Sequence, residues 1–245
     1  MSFKQMFSIK QLRSSLVKLR GYARKVRVVA QSMLIKNGAY YVNFPVVHVS
    51  LRPEISPVFG QDVAQFGQAV ATRWSQDGCG IAAMSCAITS IKRIQQPHFR
   101  LPSIAQLAEA TQQKGGYLKN VGWIHRALIA LAQEYGLCAA SFIYESPHAI
   151  CMELLSNKLA IVSVTLYFKG GRPYVKPDGQ ESVRAKGGHL VVVKGFEWKD
   201  GRCTGFYVDD SQHLTLAENA ESSEFVDIER FTASYSNKAI YVWKA

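Results

Sequence analysis

Residues 187–210 read Gly187-Gly188-His189-Leu190-Val191-Val192-Val193-Lys194-Gly195-Phe196-Glu197-Trp198-Lys199-Asp200-Gly201-Arg202-Cys203-Thr204-Gly205-Phe206-Tyr207-Val208-Asp209-Asp210. An Asp-Gly pair between two apolar runs is a strong signal for a hairpin with a two-residue turn. With Asp200 and Gly201 as the turn, Lys199 pairs with Arg202, and His189 falls opposite Gln212. Side chains alternate faces along a strand. Asp210, two residues from Gln212, therefore shares the face of His189, and Asp209 points away. A single bulge would exchange them. A carboxylate beside an imidazole fixes its tautomer and stabilises the imidazolium. Asp210 is the preferred orienting acid for His189, with Asp209 second.

The rest of the chain sets this hairpin in context. Helical spacing covers 79–94, 103–113 and 121–135, with a short helix near 147–157. Strand patterns cover 137–143, 160–167, 189–197, 204–209 and 238–244. Helices first and antiparallel strands second define an α+β fold. Residues 39–50 read as extended, with Pro45 suggesting an edge. Residues 51–78, with Pro53, Pro57, Gly60 and Gly67, read as loop. A glycine-rich, basic loop over 169–188 leads into His189.

The helical half supplies a nucleophile. In Trp74-Ser75-Gln76-Asp77-Gly78-Cys79-Gly80-Ile81-Ala82-Ala83-Met84, a cysteine between two glycines opens an Ala-rich helix. Asp77 is placed to cap the helix start. The helix dipole there favours a thiolate over a thiol, and free amides of the first turn can bind an oxyanion. Cys86, seven residues on, reads as core.

This ordered set resembles the peptidase C39-like branch of the papain superfamily. The shared features are Cys79-Gly80 opening a helix, Gly188-His189 entering a hydrophobic strand, and Tyr207-Val208-Asp209-Asp210 ending the next strand. Tyr135-Gly136-Leu137 also resembles that family's middle region. The resemblance spans roughly residues 60–215. It implies a papain-like fold with Cys79 as nucleophile, His189 as base and Asp210 as orienter. It also implies a glutamine in the oxyanion hole. Where the family commonly has it, six residues before the cysteine, this chain has Arg73. Gln76 is the expected substitute, and Gln68 lies further off. Ile81 and Ser211 stand where the family often has proline.

Bulk composition excludes other classes. The chain has 245 residues, 48% of them hydrophobic, enough for one sizeable core. No apolar run reaches the roughly 18 residues of a membrane span. The start lacks the apolar core of a secretory signal. Five cysteines, odd in number and widely spaced, argue against a disulfide framework and for a reducing, cytoplasmic compartment. His48, His98, His125, His148 and His213 show no paired metal spacing and read as ordinary surface or core residues. No metal and no cofactor is expected. There is no Gly-x-Ser-x-Gly elbow and no phosphate-loop pattern.

The net charge of +11 is uneven, because residues 1–53 hold no acidic residue. Ile9, Leu12, Leu16, Leu19, Ala23, Val26, Ala30 and Met33 recur at alternating spacings of three and four, on one stripe of a helix. This divides the chain into a basic amphipathic segment, 1–38, and a papain-like domain, 39–245. The segment can pack on the domain, serve as a transit peptide, or, through residues 1–36, dock on an anionic membrane surface or nucleic acid. Location at the periphery of a membrane follows from the docking option.

Two functional expectations follow. In the first, the protein hydrolyses peptide, isopeptide or amide bonds of a peptide or protein substrate through an acyl-enzyme on Cys79. In the second, a catalytically weak or inactive papain-like cleft binds an extended peptide while the basic helix tethers it to an anionic surface.

Overall fold

The computed structural model describes residues 35–51, 56, 59–165, 187–212 and 224–245. The amphipathic segment read over 1–38 lies almost wholly outside these residues, as does the loop of 169–188 up to residue 186.

The helical half begins earlier than the sequence reading placed it. Residues 51–78 are not a loop: they contain α1 (Phe59–Phe66) and α2 (Gln68–Asp77). Val63, Phe66, Val70 and Trp74 follow helical spacing across both, and Gly67, at φ 83°, marks the break. The cysteine helix α3 (Cys79–Arg93) follows after one residue, Gly78. Every residue of α3 from Cys79 to Ile91 is buried, so it is the central helix of the core. α4 (Ile104–Gln113) opens with a capping box between Ser103 and Gln106. A short hairpin, β2 (Tyr117–Leu118) and β3 (Gly122–Trp123), precedes α5 (His125–Glu134). The hairpin takes the first residues of the helix expected from 121.

The second half is one antiparallel sheet. Its strands are β1 (Gly38–Tyr41), β4 (Leu137–Ile143), β5 (Leu159–Val164), β6 (His189–Lys199), β7 (Arg202–Asp209), β8 (Glu224–Asp227) and β9 (Lys238–Lys244). They run in the order β4-β9-β5-β6-β7-β8, with β1 added beside β6. Two further helices belong to this half, α6 (Pro147–Leu155) and α7 (Ile228–Ser234). Of the extended stretch expected over 39–50, only its first residues form a strand. After Tyr41 the chain becomes a strap, tied by Val42 N–H to Lys194 O at 3.0 Å and by Leu51 N–H to Ser211 O at 2.8 Å.

The β6–β7 hairpin turns at Asp200 (φ 50°) and Gly201 (φ 77°), the two left-handed residues of a type I′ turn. Lys199 pairs with Arg202, as the Asp-Gly signal predicts. The ladder then carries two irregularities. One extra residue, Thr204, sits on β7, and one extra residue, Lys194, sits on β6. The two shifts cancel. Val193 faces Val208 and Val192 faces Asp209, the register of an unbulged hairpin. Asp210 therefore remains on the face of His189.

Candidate active site

Cys79 is the first residue of α3, and its position follows from the junction with α2. The N-cap of α3 is Gly78, with no side-chain cap. This corrects the expectation for Asp77, which ends α2 and accepts a hydrogen bond from Tyr117 Oη at 3.1 Å. A Cβ at Gly78 would come within 2.3 Å of the Trp74 carbonyl oxygen, so only glycine permits the junction. The first amide of α3 to find a helical acceptor is that of Ala82, on Gly78 O at 2.9 Å. The amides of Cys79, Gly80 and Ile81 precede that ladder and point out of the helix start, where an anion is favoured.

An aromatic wall backs this junction. Trp123 lies against Gly80, where a Cβ would come within 2.6 Å of the indole, and its Nε1 donates to Asp77 O at 2.7 Å. Trp74 and Tyr117 complete the group, with ring centroids 5.1–5.5 Å apart. Arg73 stacks its guanidinium on Trp74 at 4.2 Å and donates to Gln112 Oε1.

His189 enters from β6 after Gly187 and Gly188, at φ 112° and 101°. Its side chain is fully buried, and its Nε2 lies 2.8 Å from Asp210 Oδ1. The same oxygen accepts the Gln212 N–H at 3.0 Å. Burial by itself lowers the His189 pKa; hydrogen bonds with Asp210 and Cys79, and the negative charge of both, outweigh it and raise the value to about 10. The influence of Cys79 on the imidazole links the helical half to the sheet half electrostatically. His189 and Asp210 are thus paired, with Cys79 near enough for its charge to act on the imidazole.

Gln76 is not drawn in by its side chain. It sits exposed on the last turn of α2, and its backbone oxygen accepts from Gln212 Nε2 at 2.7 Å.

Asp209 has its own histidine. His48 Nδ1 lies 2.7 Å from Asp209 Oδ1, and Lys194 Nζ is 3.9 Å from the other carboxylate oxygen. His48, read from sequence as ordinary, instead anchors the strap of residues 42–51, aided by Val47 N–H donating to Ser90 Oγ at 2.7 Å. Nothing in the local sequence links His48 to Asp209, since 161 residues separate them. Cys86 is a core thiol: burial pushes its pKa well up, and Asp209 adds to the effect.

The architecture is a mixed helical and antiparallel-sheet domain. The family model described as Peptidase_C39 like family matches residues 61–239, and the chain belongs to that family. Among solved structures, the chain is similar to the peptidase domain of Streptococcus ComA, a bi-functional ABC transporter involved in a quorum sensing pathway. The identity is 13%, over 69% of this chain and 93% of that one, with a TM-score of 0.41. It is also similar to a double glycine motif protease from an AMS/PCAT transporter, in complex with the leader peptide. There the identity is 14%, over 84% and 95%, with a TM-score of 0.43. No curated protein matches the chain. Among the described residues no helix is long and apolar enough to cross a membrane, and no cluster of ligating side chains could hold a metal ion.

Proposed function

We propose that the protein is a cysteine peptidase acting on peptide, isopeptide or amide bonds of a peptide or protein substrate. The observation that carries this reading is the buried His189–Asp210 pair at 2.8 Å, with Cys79 at the start of α3 acting electrostatically on the imidazole. Cys79 gives its proton to His189 Nδ1, and the resulting imidazolium is stabilised by Asp210. The Cys79 thiolate attacks the scissile carbonyl. The negative oxygen that forms is met by the open amides of the helix start, with the Gln76 side chain as the candidate additional donor. His189 then protonates the leaving amine, and an acyl-enzyme remains on Cys79 Sγ. Water, activated by His189, attacks the thioester; the acid product leaves and Cys79 is regenerated. No cofactor enters these steps.

The test is site-resolved alkylation of the native protein across pH, followed by a peptide-library assay. Cys79 is expected to outpace the other four cysteines at neutral pH, and His189→Ala to remove that advantage. Hydrolysis that survives Cys79→Ala would refute the mechanism.

A second reading is favoured by the closure of the site: Cys79 is only 9% exposed and His189 is fully buried. In it the cleft binds an extended peptide without turnover, and residues 1–38 form a basic amphipathic segment that docks the 39–245 domain on an anionic membrane surface or nucleic acid at a cytoplasmic location. Affinity for anionic vesicles or nucleic acid that falls with rising salt, and is absent from a chain starting at residue 39, supports that docking.

A further inference from the structure

The last carbonyls of a helix lie beyond the reach of its own amides and need other donors. At the end of α2 two side chains from separate parts of the fold supply them. Trp123 Nε1 donates to Asp77 O, and Gln212 Nε2 donates to Gln76 O, each at 2.7 Å. These carbonyls immediately precede Gly78, the residue that presents Cys79. Gln212 makes a second contact: its backbone N–H donates at 3.0 Å to the Asp210 oxygen that meets His189. One residue therefore touches both the acid of the site and the turn that carries the nucleophile. The two contacts are chemically separable, since substitution removes the side-chain bond and leaves the backbone N–H on Asp210.

We propose that Gln212 is a positioning residue of the thiol site, a latch that ties the end of the sheet half to the α2–α3 junction and so fixes the spacing of Cys79 and His189. The proposal rests on the peptidase reading above. His189 and Asp210 sit on the sheet, while Cys79 sits on the helical half, so their mutual distance depends on how the halves are joined. Leu51 N–H on Ser211 O fastens the same stretch to the strap, and Gln212 is the side chain that carries it across to α2. Without the latch, Asp210 still orients His189, but the imidazole and the thiolate lose their fixed spacing and stabilise each other less.

Gln212→Met keeps the length of the side chain and removes the donor. The full chain is alkylated with iodoacetamide across pH, and each cysteine is followed by mass spectrometry. In Gln212→Met the low-pH limb of the Cys79 profile is expected to move to higher pH, because the thiolate loses part of its stabilisation by the imidazolium. Ser146→Ala removes the N-cap of α6, whose hydroxyl accepts the Ala149 N–H at 3.2 Å. It lowers the melting temperature without moving the Cys79 limb, which separates positioning from general loosening. If Gln212→Met does not fold, Gln212→Asn, which keeps the amide but shortens its reach, is expected to move the limb the same way. A profile that overlays the wild type in whichever folded variant is read overturns the latch. A wild-type chain in which Cys79 reacts no faster than Cys86 overturns the peptidase reading instead, so the two failures are distinguishable.

Discussion

Burial alone would leave His189 neutral near pH 7, and it is the hydrogen bonds and charges of Asp210 and Cys79 that reverse this. The consequence for stability has a definite sign. The ordinary value of a histidine is 6.5, and the folded value is about 10. The folded state binds this proton more tightly than the unfolded chain. Its contribution to stability is fully present below pH 6.5 and is lost as pH rises through about 10. Melting temperatures measured over that window should fall in the wild type relative to His189→Gln, in which the linked proton is gone. Steric predictions are also sharp here. Gly80→Ala sets a Cβ within 2.6 Å of the Trp123 ring, one residue from the nucleophile. Overpacking of this kind costs about 1–3 kcal/mol, measurable by urea denaturation. Displacing Trp123 also frees Asp77 O, so the variant should lose Cys79 reactivity as well as stability. At this scale much was legible in the sequence. The contact of His189 with Asp210 could be anticipated from strand alternation, and the helix start at Cys79 from its glycine context. His48 and Gln212 could not, because their partners lie 161 and 136 residues away and depend on tertiary packing.

Among the elements, the β6–β7 hairpin shows both the reach and the limit of pattern reading. Asp200-Gly201 announces its turn because few residue pairs tolerate two successive positive φ angles. Gly201→Ala should destabilise the hairpin by about 1 kcal/mol, read from the shift in urea midpoint. The bulges at Thr204 and Lys194 left no comparable mark, since a bulge is fixed by how the sheet twists against its neighbours. Asp210 nonetheless lies on the face of His189, 2.8 Å from its Nε2, because the two shifts offset each other. The helices α1 and α2 were missed for a different reason. Gly60, Gly67 and the two prolines suggested a loop, yet the apolar spacing from Val63 to Trp74 was already helical, with Gly67 serving only as the break. The α2–α3 junction should be correspondingly brittle. Gly78→Ala drives a Cβ to 2.3 Å from a backbone oxygen that cannot rotate away. It is expected to lower stability by about 1–3 kcal/mol and to blunt alkylation at Cys79.

For the whole molecule, the α+β class followed from the order of helices and strands, and the family match bears it out. The order of strands within the sheet was not legible, because strand neighbours in space need not be neighbours in sequence. That order places β9, residues Lys238–Lys244, between β4 and β5. During synthesis the ribosome delivers Cys79, His189 and Asp210 well before β9. Among the described residues β4 pairs only with β9, so until β9 arrives β4 lacks that partner and β5 is bare on one edge, an arrangement prone to wrong pairing. A nascent chain would thus carry every reactive group of the site yet lack the sheet that sets them. Ribosome-stalled chains ending before residue 238 should leave Cys79 as slow to alkylate as an ordinary thiol, with reactivity appearing only once β9 has cleared the exit tunnel. On the peptidase reading, a site timed in this way is silent while its own polypeptide is still unfolded and easy to cut.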